Sequence, residues 1–286
     1  MQEGSAVRRH RRPSQRVLLS ALAAVVVLVV LVTVLVVRFA PPRHEPSGQA
    51  PPGDGGGWRR TMVDDFTGST LDTSTWGSYD GRPAGKPISY WRSENVSVTG
   101  GTLRLTAERV SARAWRTGGV SSATSGGQTY GKWSVRMRVD PGDGIGYAVL
   151  LYPLGGGWPP EVDIAEDSGG PRQGFRSTFH YSPQNRTLGR RNEDVDMTRW
   201  HTVSVVLEPG KLTYLVDDVP WYVQETEEVP DVPMWLGVQQ TANVRTGDPD
   251  QLERSYVDEE TPERSVLEVD WVARYTRLDE VPRSAR

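Results

Sequence analysis

The chain has 286 residues, a net charge of −3 and no cysteine. That length suits one large domain or two small ones, and the charge, with no basic stripe beyond the N-terminus, excludes a nucleic-acid partner. Without thiols there is no disulfide framework, no cysteine nucleophile and no cysteine-based zinc site.

Residues 1–16 form a basic tail with Arg8, Arg9, Arg11, Arg12 and Arg16. Val17 to Val37 then runs without a charge for about the 20 residues a helix needs to cross a bilayer. Residues 17–38 read as a transmembrane anchor, and the arginine excess before it predicts a cytosolic N-terminus with the bulk of the chain outside the plasma membrane. A cleaved signal peptide and a secreted product are the rival reading. Such a peptide has an apolar core of about 7–15 residues and a small-x-small cleavage site, which the run into "VRFAPP" lacks. Residues 39–57 are rich in Pro and Gly and predict a disordered, partly extended spacer. Residues 58–277 are expected to fold as one domain, and 278–286 form a polar tail. A monomer is taken as the default.

After residue 40 helix signals are nearly absent. "SVTGGTLRLTAERV" sends Leu103 and Leu105 inward, and "YGKWSVRMRVD" alternates Trp133, Val135, Met137 and Val139 against Ser134, Arg136 and Arg138. "HTVSVVLEPGKLTYLVDDVPWYV" reads as three strands joined by turns at Pro209-Gly210 and Asp217-Asp218. "MWLGVQQTA" and "LEVDWVARYTRL" are two more. Short alternating runs between turn residues predict an all-β antiparallel fold, a sandwich or a barrel.

"WPPEVDIAEDSGG", residues 158–170, carries Glu161, Asp163 and Glu166 among Val162, Ile164 and Ala165. Strand side chains alternate faces, so Glu161 and Asp163 share one face and Glu166 has the opposite parity. One extra residue in a β-bulge at Ile164–Ala165 would return Glu166 to the same face. Three carboxylates in a row repel one another. Three readings follow: retaining glycoside hydrolysis, a hard-cation site, or a solvated acidic face without chemistry. Trp158 and two prolines before the run, and His180 on the next strand, favour the first, because an aromatic platform beside an acid pair suits a sugar ring. Trp158 is a stacking platform or a core aromatic. Trp91 is a second candidate for the cleft, and Trp133, Trp200, Trp221 and Trp271 read as packing.

"WPPEVDIAED" resembles the active-site strand of glycoside hydrolase family 16, in its laminarinase-like branch with a bulged ExDxxE. "DDFTGSTLDTSTW", "RSENVSVTGGTLRLTAER", "GGVSSATSGGQTYGKWSVRMRVDPGDGIGYAVLLYP" and the later strands resemble that family's other segments, in the same order, over most of residues 60–277. The resemblance implies a jelly roll of two curved antiparallel sheets in the concanavalin A-like class, with polysaccharide in the concave cleft. It implies Glu161 as nucleophile, Glu166 as general acid/base and Asp163 between them. Repulsion among such acids lets one hold a proton near neutral pH while another stays ionised. It places His180 where it orients a carboxylate or a sugar hydroxyl, and Gln239 and Tyr147 in the cleft. Tyr147 would stand where relatives carry a tryptophan, and Pro160 abuts Glu161 where relatives have more chain. The implied substrate is a β-1,3- or mixed-linkage glucan, or a related cell-envelope glycan, cleaved without a cofactor. A transglycosylase and a non-catalytic carbohydrate-binding protein on the same fold are the alternatives. Asp270, with Gly101 and the Asp64–Asp65 turn, resembles the family's occasional structural calcium site, and an ordinary exposed acid is the other reading of it.

Overall fold

β-branched and aromatic residues at alternate positions form strands wherever a second sheet can cover one of their faces. The computed structural model describes residues 46–245 and 255–278, so the basic tail, the expected anchor, residues 39–45 and residues 279–286 lie outside the described residues. The strands begin with β1 (Trp58–Asp64), β2 (Gly77–Ser78), β3 (Ser89–Trp91), β4 (Val96–Thr99), β5 (Thr102–Ser111) and β6 (Ala114–Thr117). The middle of the chain forms β7 (Gly119–Ser121), β8 (Gly131–Val139), β9 (Ile145–Pro153), β10 (Glu161–Asp167), β11 (Gln173–His180) and β12 (Thr187–Asp196). Then follow β13 (His201–Glu208), β14 (Lys211–Val216), β15 (Val219–Glu225), β16 (Met234–Ala242) and β17 (Arg264–Arg277).

These strands make two sheets. The first runs β15-β14-β13-β8-β17-β5-β6-β3, with β1 added to β17 and β4 to β5; the second runs β12-β11-β10-β9-β16-β7-β2. All pairings between them are antiparallel except β3 with β6, which is parallel. The expected all-β two-sheet sandwich is therefore present. Leu103, Leu105, Val135, Met137, Val203 and Val205 from the first sheet meet Val149, Leu151, Val162, Phe175, Phe179 and Leu236 from the second in one buried core. The hairpin from β14 to β15 turns at Asp217 and Asp218, both at positive φ (49° and 63°). Such a turn matches the twist of the flanking strands and is tolerated by Asp.

Two expectations are revised. Ser134 and Arg136 of β8 are buried, not solvated. The reason is the second revision: residues 46–57 are not a free spacer but lie on the outer side of the first sheet. Trp271 Nε1–H donates to the Gln49 carbonyl at 2.8 Å and Tyr275 Oη–H to the Pro52 carbonyl at 2.9 Å. Arg136 Nε–H reaches Ser47 Oγ at 2.7 Å. Trp271, Ala273 and Tyr275 form a small apolar cluster there, with Trp58 packed against it. Proline and glycine removed the alternation from this segment, yet its carbonyls are the acceptors that the buried indole and phenol of β17 require.

Candidate active site

The site is built on β10, in the middle of the second sheet. Its register slips on both sides: against β9 between Asp163 and Ala165, and against β11 between Asp163 and Glu166. Ile164 and Ala165 both turn into the core, at 1% and 0% exposure. The predicted bulge is therefore present, and Glu161, Asp163 and Glu166 share the outer face.

Cross-strand pairing lays out three rows on that face. The first pairs Trp235 with Tyr152 and Glu161 with His180, and His180 with Thr187. The second runs Gly237, Leu150, Asp163, Thr178 and Gly189. The third runs Gln239, Ala148, Glu166, Arg176 and Arg191. Glu166 leans toward the middle row, because its Oε1 accepts a hydrogen bond from Thr178 Oγ1. This lean narrows the span of about 13 Å that four strand steps would otherwise leave between the two glutamates.

Burial is the first cause of the shifted acidities. It raises Glu161, an effect opposed by Trp158 Nε1–H, which donates to Glu161 Oε2 at 2.8 Å, and by the charge of His180; Glu166 raises it further. Asp163 is pushed well above the usual carboxylate range, first by burial and then by Glu166, against the hydrogen bond from His180. His180 Nε2 lies 3.2 Å from Asp163 Oδ2 and its Nδ1 lies 2.7 Å from Asn185 Oδ1. With an acceptor at each ring nitrogen, the imidazolium is the favoured form. Burial lowers its pKa, but the bond to Asp163 and that carboxylate's charge outweigh burial, and the pKa rises to about 9.

The remaining predicted site residues divide. Trp158 is 38% exposed, with its ring centroid 5.8 Å from that of His180, so it is a rim aromatic and not a core one. The peptide bonds on either side of Pro159 are cis. Gln239 lines the cavity beside Glu166. Trp91 donates its Nε1–H to the Gln240 carbonyl at 3.1 Å and packs on Tyr79 at 4.8 Å between centroids, so it supports a cleft aromatic from behind. Tyr147 is corrected: its ring lies in the core at 3% exposure, in register with Asp167 and under the Arg172 guanidinium. Every residue of β9 from Ile145 to Leu151 is buried, so alternation did not reveal which face Tyr147 takes. Asp270 is also placed differently: Ser47 donates to its carboxylate through both N–H and Oγ–H. Asp64 meanwhile accepts from Trp76 Nε1–H at 2.8 Å. Among the described residues no three His, Asp or Glu side chains group as metal ligands.

Sequence reasoning missed Tyr152, Trp235, Tyr79 and Thr178. The rings of Tyr152 and Trp235 sit 5.5 Å apart in the Glu161 row. Counting by twos from Gln239 would have reached Trp235. Tyr79 comes from a loop and lies against Gly119 and Gly237, where a Cβ would stand 2.4 Å and 2.7 Å from its ring and hydroxyl. Burial, then the charge of Glu161, raises the Tyr79 phenol.

Comparison with known proteins places this site in a family. The family model for glycosyl hydrolases family 16 matches residues 86–271. A beta-glucanase of Rhodothermus marinus is 27% identical over 195 residues, covering 61% of this chain and 68% of that protein. The endo-1,3-1,4-beta-glycanase ExsH of Rhizobium meliloti (strain 1021) is 26% identical over 150 residues, and the match spans only 32% of its length. In fold, the catalytic domain of an endo-1,3-beta-glucanase (laminarinase) from Thermotoga petrophila RKU-1 superimposes with a TM-score of 0.68 at 21% identity, over 77% of this chain and 98% of that one. With the match taking in both sheets and the bulged acidic strand, the chain belongs to family 16 of the glycosyl hydrolases.

Proposed function

We propose that this protein is an endo-acting hydrolase of a β-linked glucan and that it works with retention. The observation that carries the reading is the bulge in β10, which sets Glu161, Asp163 and Glu166 on one face beside Trp158, Tyr152 and Trp235. Glu161 attacks the anomeric carbon while Glu166 gives its proton to the departing glycosidic oxygen. Water, deprotonated by Glu166, then displaces Glu161 and returns the sugar with its starting anomeric configuration. The indole N–H of Trp158 and the imidazolium of His180 both favour the ionised Glu161 that attack requires. Asp163, buried between the glutamates and held by His180, keeps their charges coupled. The beta-glucanase and laminarinase relatives point to β-1,3- or mixed-linkage glucan. Residues 17–38 would hold the enzyme at the plasma membrane with its glycan-cleaving domain outside. Transglycosylation uses the same acids and differs only in the acceptor.

Reducing-end release from β-1,3- and mixed-linkage glucans tests this. Glu161→Gln is expected to lower turnover about 10³-fold or more while leaving binding measurable. Glucan binding without release by the wild-type protein would replace the hydrolase with a carbohydrate-binding protein.

A further inference from the structure

Tyr79 enters the outer face of the second sheet from the loop after β2, and several contacts fix where it lies. Its backbone N–H donates to the Gly119 carbonyl at 2.8 Å, which ties the loop to β7. Its ring then passes over β7 and β16. A Cβ on Gly119 would stand 2.4 Å from that ring, and one on Gly237 would stand 2.7 Å from its hydroxyl. Both strands therefore hold glycine where the side chain passes. Trp91 backs the ring at 4.8 Å between centroids and is itself fixed by its bond to the Gln240 carbonyl.

The hydroxyl ends beside apolar groups. The Trp235 ring and the Leu150 side chain converge with it above Gly237, at 3.0 Å and 3.3 Å from the place a Cβ would take. Leu150 is buried and offers no acceptor. Trp235 already donates its Nε1–H to the Pro153 carbonyl at 3.1 Å, so what it presents is its ring. The Tyr79 hydroxyl makes no hydrogen bond among the described residues. A half-buried phenol normally finds a partner, and phenylalanine would fill the same space without placing an oxygen there. With Tyr152 5.5 Å from Trp235, the result is an aromatic platform with one unused hydroxyl at its edge. A pyranose ring, apolar on its face and ringed by hydroxyls, has the complementary shape and chemistry.

We propose that Tyr79 is a substrate-binding residue whose hydroxyl hydrogen-bonds a ring hydroxyl of a sugar seated on Trp235. Gly237 stands two strands, about 10 Å, from β10, so this sugar lies beyond the one that Glu161 attacks. The inference rests on the glycan-hydrolase reading above and adds a determinant of its substrate: a particular free hydroxyl on a sugar remote from the cleaved bond.

The test uses the full chain, a β-1,3-linked glucose pentaose and monodeoxy analogues that each lack one ring hydroxyl. Tyr79→Phe keeps the ring and its packing, so its urea-unfolding midpoint should match the wild type. Its kcat/KM on the parent pentaose should fall about tenfold, the worth of one hydrogen bond. In the wild type at least one analogue should lose a similar factor, and that loss should vanish in Tyr79→Phe, because both changes remove the same bond. A tyrosine that serves packing alone would give losses that multiply for every analogue. Unchanged kcat/KM in Tyr79→Phe, or multiplied losses throughout, overturns the inference and leaves the hydrolase reading intact. Should the pentaose not be cleaved, calorimetric binding to the wild type and to Tyr79→Phe decides. About tenfold weaker binding by the variant supports the contact while the hydrolase fails; equal binding, or none by either protein, overturns it.

Discussion

At the residue scale the site turns on one shared charge network. His180 sits between Asp163 and Asn185, and its pKa rises to about 9 from the ordinary value near 6.5. A histidine whose folded pKa lies above its unfolded one contributes its full stabilisation below about pH 6.5 and loses it as pH climbs through about 9. Stability measured by urea unfolding should therefore fall on the order of 2 kcal/mol between pH 6.5 and 9, and His180→Gln should flatten that slope. Parallel curves for wild type and variant would show that the imidazolium is not held as described. Nothing in the sequence paired Asn185 with His180, because that contact depends on a turn after β11 that returns it to the histidine.

At the scale of elements, two segments show how pattern and context divide. The bulge in β10 was legible, because parity is a local property: Glu161, Asp163 and Glu166 cannot share a face without one extra residue. The segment 46–57 was misread, because Pro and Gly erase periodicity whether a chain is solvated or docked. Its carbonyls accept from Trp271 and Tyr275, and Trp271 is only 1% exposed beneath it. A chain beginning at residue 58 should therefore be less stable than one beginning at residue 46 by about 2 kcal/mol or more, the worth of uncovering a large aromatic side chain. Denaturant unfolding followed by tryptophan fluorescence would read this. Equal midpoints would mean that the segment does not cover β17 in solution.

At the scale of the whole molecule, the sandwich separates two kinds of surface. The outer face of the second sheet carries the acids, the aromatic rim and the cations, while the outer face of the first is covered in part by residues 46–57. The docked segment starts soon after residues 17–38, so a tethered enzyme would act on glycan close to its own envelope. Membrane fractionation of cells making the full chain should recover it with the membranes, resistant to alkaline carbonate. Protease added outside intact cells should remove the folded domain. Recovery of a shortened, freely soluble protein would replace the anchor with a cleaved leader. Among the described residues no helix is long and apolar enough to cross a membrane, and the segment 17–38 expected to do so lies outside them.

The sequence by itself determined the β class and the bulge, since both follow from alternation within a few residues. It also placed Trp158 and His180 near the carboxylates, and the family resemblance added Gln239. Tertiary structure alone decided that Tyr147 faces the core, because β9 is buried on both faces and apolar at nearly every position, which leaves its parity unmarked. It alone brought Tyr79 over Gly119 and Gly237, set Ser47 on Asp270, and gathered Lys86, Arg176 and Arg191 around Glu166. Those contacts join residues distant in the chain, and only the pairing of strands into sheets makes them neighbours.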